Sequence, residues 1–346
     1  MKYRLYAFFS LLCILSSCGT EKSQDPIAET RFALGTTCTI TVFRKADAHH
    51  IQEAFDAVHR VESLMSVNLD DSEISVLNDH AGRDPLQLSD DTFFLLSKAK
   101  EYAQLSGGAF DPTVGPLVSL WGIGSDAARL PERPEILDAL ALIDYHNLVL
   151  NSEHRTAELL EKGMAVDLGA IAKGYAADAA AQVLKDGEVP YAIINFGGNV
   201  FAMGQRYGDG PWKIGIQDPD AERGNYIAIA RVEDSAVVTS GKYERFFIQD
   251  GVRYHHILST VDGYPIENGI ASVTIVARDS TRADAFSTML FALGPEKGLR
   301  LARETPFLQA VFVMEDKSVL TSSDPDGWLT IEDSRYHFVQ DNEVTE

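Results

Sequence analysis

The amino-acid sequence predicts an α+β fold, in which a single compact unit of largely antiparallel strands carries flanking helices and has room for two lobes. Helical and strand patterns are mixed without the regular βαβ alternation that builds a parallel sheet. Strand patterns dominate from residue 191 onward, and no proline- or serine-rich linker divides the chain beyond its N-terminal region. With 346 residues, 45% of them hydrophobic, the chain can bury a sizeable core.

The first 18 residues differ from the rest and predict a secretory signal. Lys2 and Arg4 precede an apolar run from Leu5 to Leu15 that is too short to span a bilayer comfortably. The run ends in Leu-Ser-Ser-Cys, which resembles a bacterial lipobox whose cysteine, here Cys18, is lipidated and becomes the mature N-terminus. An ordinary signal peptide with a chance cysteine is the alternative. The lipobox interpretation predicts a protein of the bacterial cell envelope, anchored to a membrane by lipid, with its folded part on the periplasmic side.

Residues 19–30 are polar and predict a tether, after which residues 31–340 are expected to form the folded domain. The charge of the chain argues against one class of partner. Lys and Arg total 30 against 51 Asp and Glu, which gives a formal net charge of -21. Because nucleic-acid binding relies on clustered cations, we expect no nucleic-acid partner.

Cysteine use excludes a disulfide framework. Of the three cysteines, Cys13 leaves with the signal and Cys18 would carry the lipid, so only Cys38 remains in the folded part. Cys38 lies in an alternating apolar stretch, which favours a buried small hydrophobic side chain over a nucleophile.

The folded part opens with a strand and two helices. Residues 30–43 alternate and predict one strand, whereas residues 51–67 carry apolar side chains at helical spacing. Residues 91–105 predict a second helix, which a Ser-Gly-Gly loop ends. Further strands are expected in residues 191–198, 212–216, 225–232, 235–241, 244–258, 271–278 and 307–314.

Two local sequence signals predict a hairpin turn and a helix end in the second half of the chain. Asp250 followed by Gly251 marks a hairpin turn inside the longest strand segment. One helix interrupts the strands from about Arg282, and it is expected to end before Gly294, with Pro295 opening the next helix.

That helix carries a candidate cation site. Asp284 and Thr288 are four residues apart, so they lie on one face of the helix and one turn from each other. A carboxylate and a hydroxyl in this arrangement suit Mg²⁺, which usually keeps waters and takes phosphate oxygens as further ligands. The alternative is a capping box, with Thr281 as the N-cap and Asp284 reaching back to it, and the pattern alone favours this alternative.

Residues 166–178, VDLGAIAKGYAAD, place glycines where a helix is expected to start. Gly169 and Gly174 would each cost a helix roughly 1 kcal/mol relative to alanine. Glycine at a helix start lets backbone groups approach a ligand, and Lys173 would then supply a cation for phosphate. An exposed lysine on a packed alanine-rich helix explains the local pattern equally well. Two glycine-rich loops, residues 106–117 and 194–200, have a similar character.

His255 and His256 lie near the end of a predicted strand and on opposite faces, so one of them is expected to face inward. A strand histidine is more often structural than an acid or base. The sequence contains no HExxH, CxxC, Walker or GxSxG motif. Zinc hydrolysis, P-loop transfer and serine hydrolysis therefore lack their usual signatures.

Several short segments occur in a fixed order along the chain. They are FALGTT, GGAFDPTVGPL, DLGAIAKGYAAD, NFGGNV, TSGKYERFF, HHIL and TRADAFST. Each is modest alone, but the ordered set resembles the ApbE family, the FAD:protein FMN transferases, in a lipoprotein form. The resemblance runs from about residue 31 to about residue 320 and implies an ApbE-like catalytic unit.

The resemblance implies that a serine or threonine hydroxyl of an acceptor protein attacks the FMN phosphorus of FAD, with Mg²⁺ present and AMP leaving. The implied acceptor is a subunit of a membrane redox complex. Ala170 would offer a backbone carbonyl to Mg²⁺ beside Asp284 and Thr288, and Lys173 would contact the flavin nucleotide. His256 would handle the hydroxyl proton, so His256 and Asp284 are the implied catalytic residues. The positions that match the lining of the FAD site are Leu34, Ala109, Phe110, Asp111, Asp167 and Ile257.

The sequence departs from the family pattern at three places. Leu34 stands where many relatives have methionine, and the loop Ser259–Gly263 replaces the usual Asp-Pro and Thr-Gly residues, which leaves its geometry open. Asn68 stands where transferases often have tyrosine, and a smaller side chain there could admit water. Hydrolysis of FAD to FMN and AMP is therefore one alternative function. A lipid-anchored flavin-binding protein without turnover is another.

Overall fold

The computed structural model of the protein describes residues 26–43, 48–206 and 210–339. The predicted signal, the lipobox with Cys18 and most of the predicted tether therefore lie outside the described residues. The fold is mixed and confirms the α+β prediction, with strands that are mostly antiparallel and helices that flank them. Within the described ranges, no helix is both long and apolar enough to cross a membrane.

The helices of the described ranges are α1 (Ala48–Met65), α2 (Glu73–Asp79), α3 (Asp90–Ser106), α4 (Gly115–Trp121), α5 (Arg133–Leu140), α6 (Ala172–Asp186) and α7 (Ser280–Glu304). The strands of the first half are β1 (Ile27–Ala33), β2 (Thr36–Phe43), β3 (Leu86–Gln87), β4 (Leu148–Asn151), β5 (Thr156–Leu159), β6 (Tyr191–Phe196) and β7 (Asn199–Met203). Those of the second half are β8 (Trp212–Gln217), β9 (Tyr226–Val232), β10 (Ser235–Gly241), β11 (Phe246–Gln249), β12 (Val252–His255), β13 (Ile270–Ala277), β14 (Leu308–Met314), β15 (Ser318–Thr321), β16 (Leu329–Ile331) and β17 (His337–Phe338).

A nine-stranded sheet organises the molecule, in the order β1-β2-β6-β7-β10-β13-β14-β15-β17. Every neighbouring pair is antiparallel except β15 and β17. Strand β13, near the middle, is buried along its whole length because both faces of the sheet are covered. Val273 and Ile275 pack towards α1, α6 and α7, whereas Val276 packs towards the small sheet β16-β9-β8.

The first predicted strand is in fact a hairpin. Leu34 and Gly35 have φ values of 54° and 67°, and they turn the chain between β1 and β2. The prediction of one strand over residues 30–43 was wrong because the alternation of apolar residues continues on both sides of a two-residue turn. Strand β1 begins at Ile27, so it includes residues that the sequence analysis assigned to the tether.

The predicted hairpin turn and the predicted helix end in the second half of the chain are confirmed. Asp250 and Gly251 have φ values of 52° and 82° and join β11 to β12, as a type I′ turn requires. Gly294, with φ 81°, interrupts α7 and separates it into two helical parts, the second of which begins at Pro295.

The capping-box alternative for α7 is wrong. Asp279 is the N-cap, and its carboxylate accepts a hydrogen bond of 2.8 Å from the backbone N–H of Arg282. Asp178 of α6 provides further caps, since it accepts from the N–H groups of Ser280 (2.7 Å) and Thr281 (2.8 Å) and from the Thr281 hydroxyl (2.5 Å). Burial raises the pKa of Asp178 to about 6. This carboxylate fixes the start of α7 against α6.

Gly174 is needed for the close contact of α6 with α7. A Cβ placed on Gly174 would lie 2.2 Å from the carbonyl oxygen of Ser280 and 2.8 Å from the Cβ of Asp284. Gly174 therefore allows two helices to approach, rather than leaving room for a ligand. Gly169 precedes the helix, which begins at Ala172, so it carries no helix penalty.

Replacement of Gly174 by alanine tests this contact. Helix propensity alone predicts a gain of up to about 1 kcal/mol, but the clash with Ser280 should lower the free energy of unfolding by about 2 kcal/mol. Gly169→Ala is the matched control, because its Cβ would meet only the side-chain oxygen of Asp167, at 2.9 Å, which can move. Urea unfolding measures both variants. Stabilisation by Gly174→Ala would contradict the packing account.

Candidate active site

Lys173 and Asp284 meet where the first turns of α6 and α7 contact each other. Asp284 of α7 is 2% exposed. Its carboxylate accepts a hydrogen bond of 2.9 Å from the backbone N–H of Gly174 and lies 3.3 Å from the ammonium group of Lys173. Lys173 also donates to the carbonyl oxygen of Gly169, at 3.0 Å. The alternative in which Lys173 is simply an exposed lysine is therefore wrong.

A row of hydroxyl groups continues from Asp284 along the same side of α7. The hydroxyl of Ser287 donates to the backbone carbonyl of Asp284 (2.8 Å) and lies 2.7 Å from the hydroxyl of Ser240 on β10. Ser240 also lies 3.0 Å from the hydroxyl of Thr288. Sequence reasoning missed Ser240, because its strand is 47 and 48 residues away from these helix positions and carries no local signal.

The donors around Asp284 fit a magnesium ion. In the described ranges there is no cluster of three or more His, Cys, Asp or Glu side chains that could hold a metal. Mg²⁺ needs no such cluster, since it typically uses one or two carboxylates and keeps waters and phosphate oxygens as its other ligands. The Lys173 ammonium group already joins the Asp284 carboxylate to a backbone carbonyl next to Ala170. This arrangement shows that the oxygen atoms are placed to share a positive charge.

The two histidines have different surroundings. His255 is fully buried, and its Nε2 lies 3.1 Å from the carbonyl oxygen of Ile266, while its Nδ1 accepts from the N–H of Ile257 at 3.3 Å. Both ring nitrogens are thus occupied by the fold, and His255 is the inward-facing residue of the pair. Burial also lowers its pKa.

His256 is only partly buried and keeps one ring nitrogen available. Its Nδ1 lies 3.3 Å from the carbonyl oxygen of Arg245. Because a carbonyl can only accept, Nδ1 carries the proton and Nε2 has the free lone pair of a base. Removal from water, followed by the influence of Arg245, His255 and Lys173, lowers the pKa of His256 to about 3.

Two acidic residues of the expected FAD lining have distinct roles. Asp167 accepts a hydrogen bond of 2.7 Å from the N–H of Gly169. Burial raises its pKa, and the charges of Lys173 and Arg245 oppose that shift. Asp111 is buried, and its carboxylate accepts from its own loop, namely from the N–H and hydroxyl of Thr113 and the N–H of Tyr145. Its side chain therefore shapes the loop.

The apolar part of the expected lining comes from three turns. Leu34 is held by a hydrogen bond of 2.7 Å from its N–H to the carboxylate of Glu62. Ala109 is partly buried, and Phe110 is 6% exposed and packs edge-on against Tyr102. Ile257 is buried next to His255.

The loop Ser259–Gly263, whose geometry the sequence left open, is well defined. The Ser259 hydroxyl accepts from the N–H groups of Val261 and Asp262, and the carbonyl of Gly263 accepts from the Trp121 indole at 2.8 Å. The Thr260 hydroxyl donates to the carbonyl of Gly108 at 2.8 Å. This bond joins the loop to the segment that carries Phe110.

The structure also shows the surroundings of Cys38 and Asn68. Cys38 is buried, its thiol donates to the carbonyl of Ala33, and burial raises its pKa to about 12, so it is the small hydrophobic residue that was predicted. Asn68 is exposed in the turn that follows α1.

Comparison with known proteins decides the family. The ApbE family matches residues 34–312. The chain belongs to this family. A FAD:protein FMN transferase of Treponema pallidum (strain Nichols) is 37% identical over 351 residues, which cover 96% of this chain and 97% of that protein. A FAD:protein FMN transferase of Klebsiella pneumoniae (strain 342) is 39% identical over 269 residues, 78% of this chain and 83% of that protein.

Solved ApbE structures share the fold. The crystal structure of the ApbE protein from Thermotoga maritima matches with a TM-score of 0.78 and 35% identity, over 85% of this chain and 96% of that chain. Flavin transferase ApbE from Vibrio cholerae matches with a TM-score of 0.75 and 28% identity, over 88% of this chain and 96% of that chain. Membership of the ApbE family confirms the resemblance drawn from the ordered motifs and the interpretation of the chain as an enzyme.

The surroundings of His256 in this ApbE protein predict a specific pH response. The folded pKa of about 3 lies below the ordinary value of 6.5, so the unfolded chain takes up the proton first. The free energy of unfolding of the wild type should therefore fall between pH 6.5 and pH 4. In His256→Gln this loss should be smaller by about 1 kcal/mol or more.

Urea unfolding at pH 7 and pH 4 measures the difference between the two proteins. His154→Gln is the control, because His154 is exposed and should leave the wild-type response unchanged. Equal acid sensitivity of the wild type and His256→Gln would show that His256 is not held in its neutral form by the fold.

Proposed function

We propose that this protein transfers the FMN moiety of FAD to a serine or threonine hydroxyl of an acceptor protein, with Mg²⁺ and with release of AMP. The observation that supports this proposal best is the bridge from Lys173 to Asp284 and Gly169, which places a cation beside a buried carboxylate and a backbone carbonyl. The curated relatives carry the name FAD:protein FMN transferase. We infer that the acceptor is a subunit of a membrane redox complex.

The reaction makes three demands on the site. A bond forms between the acceptor oxygen and the FMN phosphorus, while the bond from that phosphorus to the AMP oxygen breaks. The diphosphate charge must be neutralised, the acceptor hydroxyl must lose its proton, and the two oxygens must lie roughly in line. Binding and positioning therefore account for most of what the protein has to supply.

The residues of the site meet these demands. Asp284, Thr288 and the carbonyl of Ala170 would hold Mg²⁺, which when bound supplies positive charge to the diphosphate oxygens. Lys173, one turn further along, would contact the phosphates. The free Nε2 of His256 would accept the proton of the acceptor hydroxyl.

A pKa of about 3 makes His256 a weak base in the free protein. Part of that low value comes from the positive charges of Arg245 and Lys173. A bound diphosphate carries negative charge that opposes both cations, so it raises the pKa of His256 towards the range in which a base is effective. Substrate binding would thus prepare the base for its task.

Transfer can be measured with the soluble form that lacks residues 1–18, FAD, Mg²⁺ and an acceptor that carries a serine or threonine flavinylation segment. We expect flavin fluorescence to stay on the acceptor through a denaturing gel. Asp284→Ala should reduce the rate at least about 100-fold, because removing one preorganised charge at a phosphoryl-transfer site has effects of this order. Asp138→Ala, which removes an exposed carboxylate of α5, is the matched control and should keep the wild-type rate.

The same assay separates the alternatives. Release of FMN and AMP at the same rate without acceptor would show that the protein hydrolyses FAD and does not transfer FMN. The small, exposed side chain of Asn68 favours this alternative. FAD that stays intact would indicate a binding protein without turnover. An unchanged rate in Asp284→Ala would remove Asp284 from the reaction.

We further propose that lipid on Cys18 anchors the protein to a membrane, with its catalytic domain on the periplasmic side of the bacterial envelope. The signal-like segment before Cys18 supports this placement. Cell fractionation tests it, since Cys18→Ser should move the protein from the membrane fraction to the soluble fraction. Retention of the variant in the membrane fraction would contradict lipid anchoring.

A further inference from the structure

Arg245 lies in the turn between β10 and β11, beside the proposed reaction site. Its side chain passes two glycines that belong to other parts of the chain. A Cβ placed on Gly124 would lie 3.2 Å from the Cδ of Arg245, and a Cβ placed on Gly35 would lie 3.8 Å from its Nη2. Gly35 belongs to the β1–β2 turn, next to Leu34. The guanidinium group therefore reaches towards the turn that carries an expected FAD-lining residue.

The charge of Arg245 has no partner among the residues that the structure describes. Its guanidinium group donates no hydrogen bond there, and no carboxylate lies within 4.0 Å of it. Other arginines of this acidic chain are paired, for example Arg223 with Glu244 and Arg129 with Glu135. Arg245 is exposed, so its guanidinium group is accessible to an anionic ligand from solvent.

Arg245 influences the site through the charge of its side chain and through its backbone carbonyl. Its charge opposes the rise in the pKa of Asp167 and adds to the lowering of the pKa of His256, as the charge of Lys173 also does. Its carbonyl oxygen accepts from the backbone N–H of His256 at 3.1 Å and faces Nδ1 of the same ring at 3.3 Å. The backbone of Arg245 thus holds the proposed base in place.

We propose that Arg245 binds the diphosphate of FAD, next to His256. This inference rests on the proposed function. The planar guanidinium group presents parallel N–H donors that match two phosphate oxygens, which a lysine cannot do. Gly35 and Gly124 leave the side chain free to reach the ligand. Because the carbonyl of Arg245 holds His256, a diphosphate bound to Arg245 would place the reacting phosphorus close to the base.

Ligand affinity in EDTA tests this role without any turnover. The full-length protein in detergent is titrated with FAD and, separately, with riboflavin, which has the same flavin ring and no phosphate. Arg245→Ala should raise the dissociation constant of FAD at least about tenfold and change that of riboflavin less than about twofold. Arg245→Lys should give an intermediate value for FAD, because it keeps the charge and loses the paired donors.

Arg253→Ala is the matched control. Arg253 lies on β12, where its guanidinium group stacks on the ring of Phe246, and its loss should leave both affinities unchanged. Equal weakening of FAD and riboflavin by Arg245→Ala, an unchanged FAD affinity, or a wild-type protein that binds FAD no more tightly than riboflavin would overturn the proposal. Failure of the proposed function would look different, since wild-type protein would then bind FAD without labelling an acceptor.

Discussion

The carboxylate of Asp284 lies where two helices start, and the site depends on how its charge is held. A buried carboxylate is costly unless it is hydrogen-bonded or paired. Here the backbone N–H of Gly174 and the ammonium group of Lys173 provide those partners. The contact requires a residue without a side chain at position 174, so the packing of α6 on α7 and the electrostatics of the site have one common cause.

The other parts of the site are arranged around this contact. Asp178 caps the start of α7 and keeps the face of Asp284 and Thr288 turned to Ser240 of the central sheet. The turn between β10 and β11 adds a second cation, Arg245, whose carbonyl oxygen accepts from the backbone N–H of His256. In a chain with a net charge of -21, Lys173 and Arg245 supply positive charge next to Asp284 and next to His256.

Much of the architecture could be predicted from local patterns. The hairpin turn at Asp250, the interruption of α7 at Gly294 and the shared face of Asp284 and Thr288 all depend on residues close in sequence, and each is present in the structure. The turn at Leu34 was missed because the strand alternation continues through it. The ordered motifs supplied the family, which no single motif did.

Long-range contacts account for what the sequence could not show. The cap that Asp178 provides spans 102 residues, and the neighbours of Arg245 lie in turns far from it along the chain. Periodicity and capping rules describe separations of a few residues, so they predicted a capping box at Thr281 where a side chain from another helix takes that place. Only the folded arrangement shows which of two neighbouring histidines keeps a free nitrogen.

The position of a bound cation would show directly whether Asp284 is a metal ligand. Crystals of the FAD complex grown with Mn²⁺ in place of Mg²⁺ would show the ion through its anomalous diffraction. We expect an anomalous peak between the Asp284 carboxylate and the Thr288 hydroxyl, within reach of the Ala170 carbonyl. A fully occupied FAD site with the peak elsewhere, or with none beside Asp284, would contradict this expectation.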